Sequence, residues 1–148
     1  MPLKFTIIMQ SLISDYPNSA RDKEAKILRA VNSVLNQTFQ DFELLVISDN
    51  CQKTVDIIQQ NFDLSEQLKL FKNVRERNTK AWSAECRNIG ISESKGEYLL
   101  YLDNDDYFTP DYLELLDCEI TVKNLYFVDD ITLHTETPIQ RRCNIKPF

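Results

Sequence analysis

Four short apolar runs limit what this chain can fold into. KFTIIMQ (4–10), FELLVIS (42–48), LKLFK (68–72) and GEYLLYL (96–102) read as strands, and stretches of helical character separate them. A run as continuous as FELLVIS suits a strand covered on both faces. Between the first two runs, Ile27, Leu28, Val31, Val34 and Leu35 recur at helical spacing, predicting a helix over 23–35. A second helix is expected near 53–62, with Val55, Ile58 and Phe62 on one side, and a third over about 81–92. Thr109 as N-cap and Pro110 at the first helical position predict a fourth helix through about Ile120. NLYFV (124–128) reads as a fifth strand, and 129–148 shows no clear period.

Strands alternating with helices imply an α/β fold, a mainly parallel sheet flanked by helices on both faces. In open sheets of this kind, ligands bind beyond the carboxyl ends of the strands. Three polar clusters fall at such ends: residues 10–15, the pair Asp49 and Asn50, and the run 103–106.

Composition narrows the ligand. A net charge of −6 argues against wrapping by nucleic acid. No apolar run approaches the roughly 20 residues needed to span a bilayer. MPLKFTIIMQS reads as a first strand rather than a signal peptide, so a cytoplasmic location is expected. Cys51, Cys86, Cys118 and Cys143 show no C-x-x-C spacing and His134 is the one histidine, which disfavours zinc and leaves four free thiols as the expected state. The chain has only two glycines, Gly90 and Gly96, so neither a Walker A loop nor a G-x-G-x-x-G turn is available to cradle phosphate. A bound nucleotide would instead need a divalent cation bridging carboxylates and diphosphate oxygens.

LDNDD offers such carboxylates. Asp103 and Asp105 would face the same side of a continuing strand, and hard oxygens suit Mg2+ or Mn2+, with water and ligand phosphates completing the shell. A solvated surface turn is the other reading, since aspartate is common in turns and near helix N-termini. An EF-hand counted from Asp103 fails at its sixth position, where Phe108 stands in place of glycine.

SAECRNIGISESKGEYLLYLDNDDYFTPDYLE resembles the inverting, GT-A-fold glycosyltransferases of family 2. These show an A-x-R-N-x-G-I helix, a K/R-G-E-Y strand start and an L-D-x-D-D strand end followed by Pro and LE. Ala84, Arg87, Asn88, Gly90, Ile91, Gly96, Glu97, Tyr98, Leu102, Asp103, Asp105, Asp106, Pro110 and Leu113 match. Upstream, AVNSVLNQTFQDFELLVISDN is similar to the family's SVLNQTYxDFEIIVVDDGS, so the likeness covers about the first 115 residues.

The resemblance implies a Rossmann-like nucleotide-sugar site. Asp49 would contact the base or ribose, and Asp103 would lie near the ribose and diphosphate. Asp105 would hold Mn2+ or Mg2+ with Asp103 beside it, and Arg87 would border the donor pocket. Gln10, Ser11 and Asp15 would belong to the loop that cradles the base. The implied reaction moves a sugar from a nucleotide-diphosphate donor to an acceptor hydroxyl, in polysaccharide or glycoconjugate assembly. The acceptor would be a saccharide or lipid-linked saccharide, met at the inner face of a membrane.

Three departures accompany the likeness. MQSLISDYPN stands where the family has a P-x-Y-N turn, and SDNC replaces D-D-G-S. Residues 1–120 read as the nucleotide-sugar half. Residues 121–148 read as a short strand and tail in place of the usual acceptor half, whose catalytic base finds no counterpart beyond the unassigned pair Asp129 and Asp130. The alternative expectation is therefore an inactive homologue that binds a nucleotide sugar or a partner protein, and a homodimer would let a second chain supply the acceptor side. Lys72, Arg75, Arg77 and Lys80 read as a solvated basic loop, while Arg141, Arg142 and Lys146 are the candidates for contact with anionic lipid.

Overall fold

The computed structural model describes residues 3–14, 21–74 and 82–120, together with the backbone of two short strands at 126–127 and 146–147. The chain divides into two compact units, Met1–Leu113 and Glu114–Phe148.

The first unit carries a four-stranded parallel sheet. Its strands are β1 (Leu3–Ser11), β2 (Phe42–Asp49), β3 (Leu68–Asn73) and β4 (Gly96–Tyr101), in the order β3-β2-β1-β4. Helices α1 (Lys23–Leu35), α2 (Gln52–Asn61) and α3 (Trp82–Glu93) make the connections. The expected parallel α/β sheet is present. Each expected strand lies within a residue or two of its run, and the two central strands, β1 and β2, come from the most continuous ones. Every residue of β2 is buried, and Phe5, Ile7, Ile8 and Met9 of β1 are shielded from solvent. A fully buried side chain of this kind contributes about 1.5–3 kcal/mol relative to exposure.

The sheet is covered on both faces, and the alternation of side chains sorts residues between them. Ile8 packs with Leu45, Ile47 and Cys86, which places α3 on that face. Ser11, on the opposite face, shares a hydrogen bond with Thr54 of α2 at 3.0 Å. Helix α1 lies beside α2, joined by a 2.6 Å ion pair between Glu24 and Lys53.

Both glycines serve close approach rather than unusual backbone angles, since neither has positive φ. A Cβ on Gly90 would stand 2.5 Å from Ile8 Cγ2, so its absence lets α3 settle onto β1. A Cβ on Gly96 would meet the Thr6 backbone nitrogen at 2.4 Å.

Glu43 is a carboxylate buried in the central strand β2, at the end of the sheet where β4 begins. It accepts hydrogen bonds from Thr6 Oγ1 (2.8 Å), Lys69 Nζ (2.9 Å) and the Lys95 amide (2.6 Å), and the Gly96 amide donates to Thr6 Oγ1 at 2.8 Å. One acidic side chain thus ties together all four strands. Burial pushes its pKa up, but the hydrogen bonds from Lys69, Lys95 and Thr6 outweigh burial and hold it below its ordinary value.

The fourth helix differs from expectation. It begins at Tyr112, and α4 runs Tyr112–Glu119 across the boundary of the two units. Thr109 and Pro110 lie in the turn before it, closed by the Tyr112 amide donating to Thr109 O at 3.1 Å, while the Leu113 amide goes to Gln37 Oε1 at 2.9 Å and the carbonyls of both residues take further partners from outside the turn. Gln37 Nε2 donates to Thr109 O at 2.6 Å, and the Thr38 amide donates to Pro110 O at 2.9 Å. In the second unit the described part of the expected fifth strand is β5 (Tyr126–Phe127), and residues 124, 125 and 128 of that expectation lie outside the described residues. Strand β5 pairs antiparallel with β6 (Lys146–Pro147), in a tail that shows no period in sequence.

Candidate functional site

The order β3-β2-β1-β4 puts a switch point between β1 and β4, where the chain turns from building one side of the sheet to building the other. The crevice beyond the carboxyl ends of these strands is the expected ligand position. Sheet pairing extends one residue past β4, with the Leu102 amide donating to Ile8 O at 3.1 Å. The chain then turns sharply, and the Asp106 amide donates to Asp103 O at 3.1 Å. Asp103, Asp105 and Asp106 are exposed on this turn.

The residue between the first two aspartates fastens the turn to the sheet. Asn104 Nδ2 donates to Ser11 Oγ at 2.9 Å, and Ser11 Oγ is the same atom that meets Thr54 Oγ1. Thus the ends of β1 and β4 and the first turns of α2 are joined by one buried-to-exposed polar chain. Helix α1 holds the turn from the other direction. Arg29 donates to Asp105 O at 2.7 Å and lies 4.5 Å from the Tyr107 ring centre. Ser33 Oγ accepts from the Phe108 amide at 3.1 Å, and Gln37 Oε1 accepts from the Leu113 amide at 2.9 Å.

On the α3 face, alternation sets Gln10 above Ile8 and Asp49 above Ile47. Asp49 is buried and accepts from Asn73 Nδ2 at 3.3 Å, and the same Asn73 nitrogen reaches Cys86 Sγ at 3.6 Å. Gln10 Oε1 is buried and, among the described residues, has no hydrogen-bond partner. A buried acceptor left without a donor costs about 1–3 kcal/mol. Arg87, exposed on α3, stacks its guanidinium 5.2 Å from the Tyr101 ring centre at the end of β4.

The SDNC turn solves the missing glycine by using asparagine. Asn50 adopts φ 45, the left-handed region that asparagine tolerates better than most residues. Its amide donates to Asn73 O at 2.8 Å. Cys51 follows as the N-cap of α2, its Sγ 3.5 Å from Ile13 O. Burial pushes this thiol up, yet hydrogen bonds from the Thr54 side chain and from the backbone of Thr54 and Lys53 bring it below its ordinary value. Cys51, Cys86 and Cys118 are free thiols, as expected.

Of the residues singled out in sequence, Ser11 and the Asp103–Asp105 turn are thus brought together directly. Gln10 and Asp49 occupy the neighbouring strand ends on the α3 face, with Arg87 on the helix above it. Asp15, Arg75, Arg77, Lys80, Asp129, Asp130, His134, Arg141 and Arg142 lie outside the described residues. Among the described residues, no three His, Cys, Asp or Glu side chains form a ready-made cation cage. Two exposed aspartates still fit a cation that takes few protein ligands and keeps water or phosphate on its other positions. Arg29, Thr54 and Asn104 were not legible as site residues. Ser33 and Gln37 lie inside the SVLNQT motif, but their roles were not. The available signal was the spacing of four between Arg29, Ser33 and Gln37, a polar stripe along one helix face.

The sheet order and the acidic turn pinned at its switch point define a GT-A, Rossmann-like α/β domain. A crystal structure of S. aureus TarS 1-349 in complex with UDP-GlcNAc shares this fold, with a TM-score of 0.61 and 23% identity over 78% of this chain and 30% of that one. The chain belongs to glycosyl transferase family 2, whose family model matches residues 18–130. Among curated relatives, an uncharacterized glycosyltransferase of Haemophilus influenzae is 35% identical over 92 residues. The GalNAc(5)-diNAcBac-PP-undecaprenol beta-1,3-glucosyltransferase of Campylobacter jejuni is 29% identical over 86 residues. The aligned segments cover 62% and 57% of this chain but only 35% and 27% of those relatives, so the chain spans about a third of their length. Among the described residues no helix is long and apolar enough to cross a membrane.

Proposed function

We propose that this chain is the donor-binding part of a metal-dependent, inverting glycosyltransferase, with residues 1–120 forming the nucleotide-sugar half. The observation that carries the reading is the Asn104–Ser11 hydrogen bond, which fastens the D-x-D turn at the switch point of the sheet. Gln10 supplies a second support, because its orphaned Oε1 is an acceptor ready for an N–H of a nucleotide base. Asp49, already oriented by Asn73, accepts from the base or ribose. Asp105, with Asp103, would hold Mn2+ or Mg2+, which when bound supplies positive charge to the diphosphate leaving group. Arg87 leaves its stack on Tyr101 to meet the same diphosphate, where a fixed cation stabilises charge developing as the sugar–oxygen bond breaks. No residue is assigned as the base that takes the acceptor proton.

The neighbours lend support to one donor class. TarS binds UDP and UDP-GlcNAc in crystals, and the Campylobacter relative is named for a PP-undecaprenol-linked saccharide. A uridine diphosphate sugar as donor and a saccharide or lipid-linked saccharide as acceptor, met at the inner face of a membrane, is the corresponding reading here. A thermal-shift panel of nucleotide sugars with and without Mn2+ tests it, because a ligand that binds only the native state must raise the midpoint. A Mn2+-dependent rise that disappears in Asp105→Asn, with the fold intact, is the expected result. The same Mn2+-dependent rise in that variant removes Asp105 from the metal role. The second reading, a domain that binds the donor without turnover, is favoured by the altered strand-one turn. Release of nucleoside diphosphate with an added acceptor decides against it.

A further inference from the structure

The loop from Asp103 to Leu113 makes few hydrogen bonds of its own, and its backbone polar groups need partners. One stripe of α1 and the turn after it supply them. Arg29, Ser33 and Gln37 recur every fourth residue, on the same side of the chain. In sequence order they take Asp105 O, the Phe108 amide, and then Thr109 O with the Leu113 amide. Each successive side chain grips the loop further along, so helix and loop run alongside one another like the two halves of a clasp. Gln37 is buried and sits at the far end, where its loss would damage packing. Arg29 is exposed and sits at the end that carries the carboxylates.

We propose that Arg29 is a positioning residue that fixes the carboxylate turn for cation-assisted nucleotide binding. The inference rests on the reading of Asp103 and Asp105 given above. Arg29 grips the turn at two points that flank Asp106. Its guanidinium binds the carbonyl of Asp105 by a charge-assisted hydrogen bond and covers the ring of Tyr107. Both contacts use the planar face and fork of arginine, which lysine lacks. The grip is on the main chain, so the Asp105 carboxylate is oriented without being occupied. The guanidinium also brings a positive charge to a turn bearing three carboxylates, offsetting part of their mutual repulsion before any cation arrives. No other side chain described here grips the main chain of Asp105 and the ring of Tyr107 together.

The test compares the parent protein with Arg29→Ala, Arg29→Lys and Tyr107→Ala, using UDP binding by calorimetry with and without Mn2+. Amide hydrogen exchange over 104–108 in the ligand-free protein is the second readout. Loss of a group that orients a metal ligand typically weakens metal affinity 10–100-fold. Arg29→Ala is expected to lower the Mn2+-dependent gain in UDP affinity about tenfold, leave UDP affinity without metal unchanged, and speed exchange across the turn. Arg29→Lys keeps a donor but not the stack and falls between, as does Tyr107→Ala. An Arg29→Ala protein with the parent's full Mn2+-dependent gain overturns the proposal. If the parent itself shows no such gain, the metal reading of the site fails. The link of Arg29 to a cation then falls with it; faster exchange in Arg29→Ala upholds only the ordering of the turn by Arg29, and unchanged exchange overturns that too.

Discussion

Single residues carry much of this fold's tolerance to change, and the two glycines differ sharply. At Gly96 an added methyl meets backbone of β1, which cannot move without opening the sheet. At Gly90 it meets the buried Ile8 side chain, which must repack against its neighbours, but alanine is the better helix former by about 1 kcal/mol, offsetting part of that cost. Gly96→Ala is therefore expected to cost about 3 kcal/mol and Gly90→Ala about 1 kcal/mol or less in chemical denaturation. Equal losses would show that close approach at Gly96 is not the constraint. Gln10 should behave in the opposite sense. Replacing it with leucine removes a buried acceptor that has no donor among the described residues, so the ligand-free protein should gain about 1 kcal/mol. The same change should weaken nucleotide binding about five- to tenfold, the value of one hydrogen bond. A Gln10→Leu protein that binds as well as the parent would assign the orphaned oxygen to strain rather than to a ligand.

At the scale of elements, β2 does two jobs at its two ends. Its carboxyl end presents Asp49 to the crevice, and its other end carries Glu43 into the clamp that joins the strands. Glu43 has a folded pKa held below the ordinary carboxylate value, so it is a depressed-pKa group. Its stabilising contribution is complete above the unfolded value of about 4.3 and is lost as pH falls through the lower folded value. The thermal midpoint should decline as pH drops below about 4.5, and Glu43→Gln should flatten that decline while lowering stability at neutral pH. Glu43→Ala, which leaves Lys69 without its buried partner, is expected to cost about 3 kcal/mol. An acid profile unchanged by Glu43→Gln would move the pH dependence to other carboxylates.

Across the whole molecule, legibility followed how local the determining physics was. The strands β1 and β2 were readable because central parallel strands must be apolar throughout. Helix α1 was readable from the spacing of Ile27, Val31 and Val34, which are all buried. The start of α4 was not, because Thr109 and Pro110 look like a helix opening until Gln37 takes the Leu113 amide and Thr38 the Pro110 carbonyl, each from more than 70 residues away. In the same way the carboxylates of the site were visible, while Asn104, Arg29 and Thr54 were not. Their importance lies in which partner the fold brings to them, and no local pattern records that.

The Asn104–Ser11 bond has one more consequence, for the order in which the molecule comes into being. It joins residues 93 positions apart, and the Gly96 amide reaches Thr6 across 90. Of the four strands of this sheet β1 is made first, yet it stays open on one side until β4 arrives. Such long closures are entropically costly and come late in folding. A chain emerging from the ribosome can therefore assemble β1, β2 and β3 well before it has a crevice. The crevice between β1 and β4 is the last part of the sheet to exist, and the first to be lost if β4 lets go.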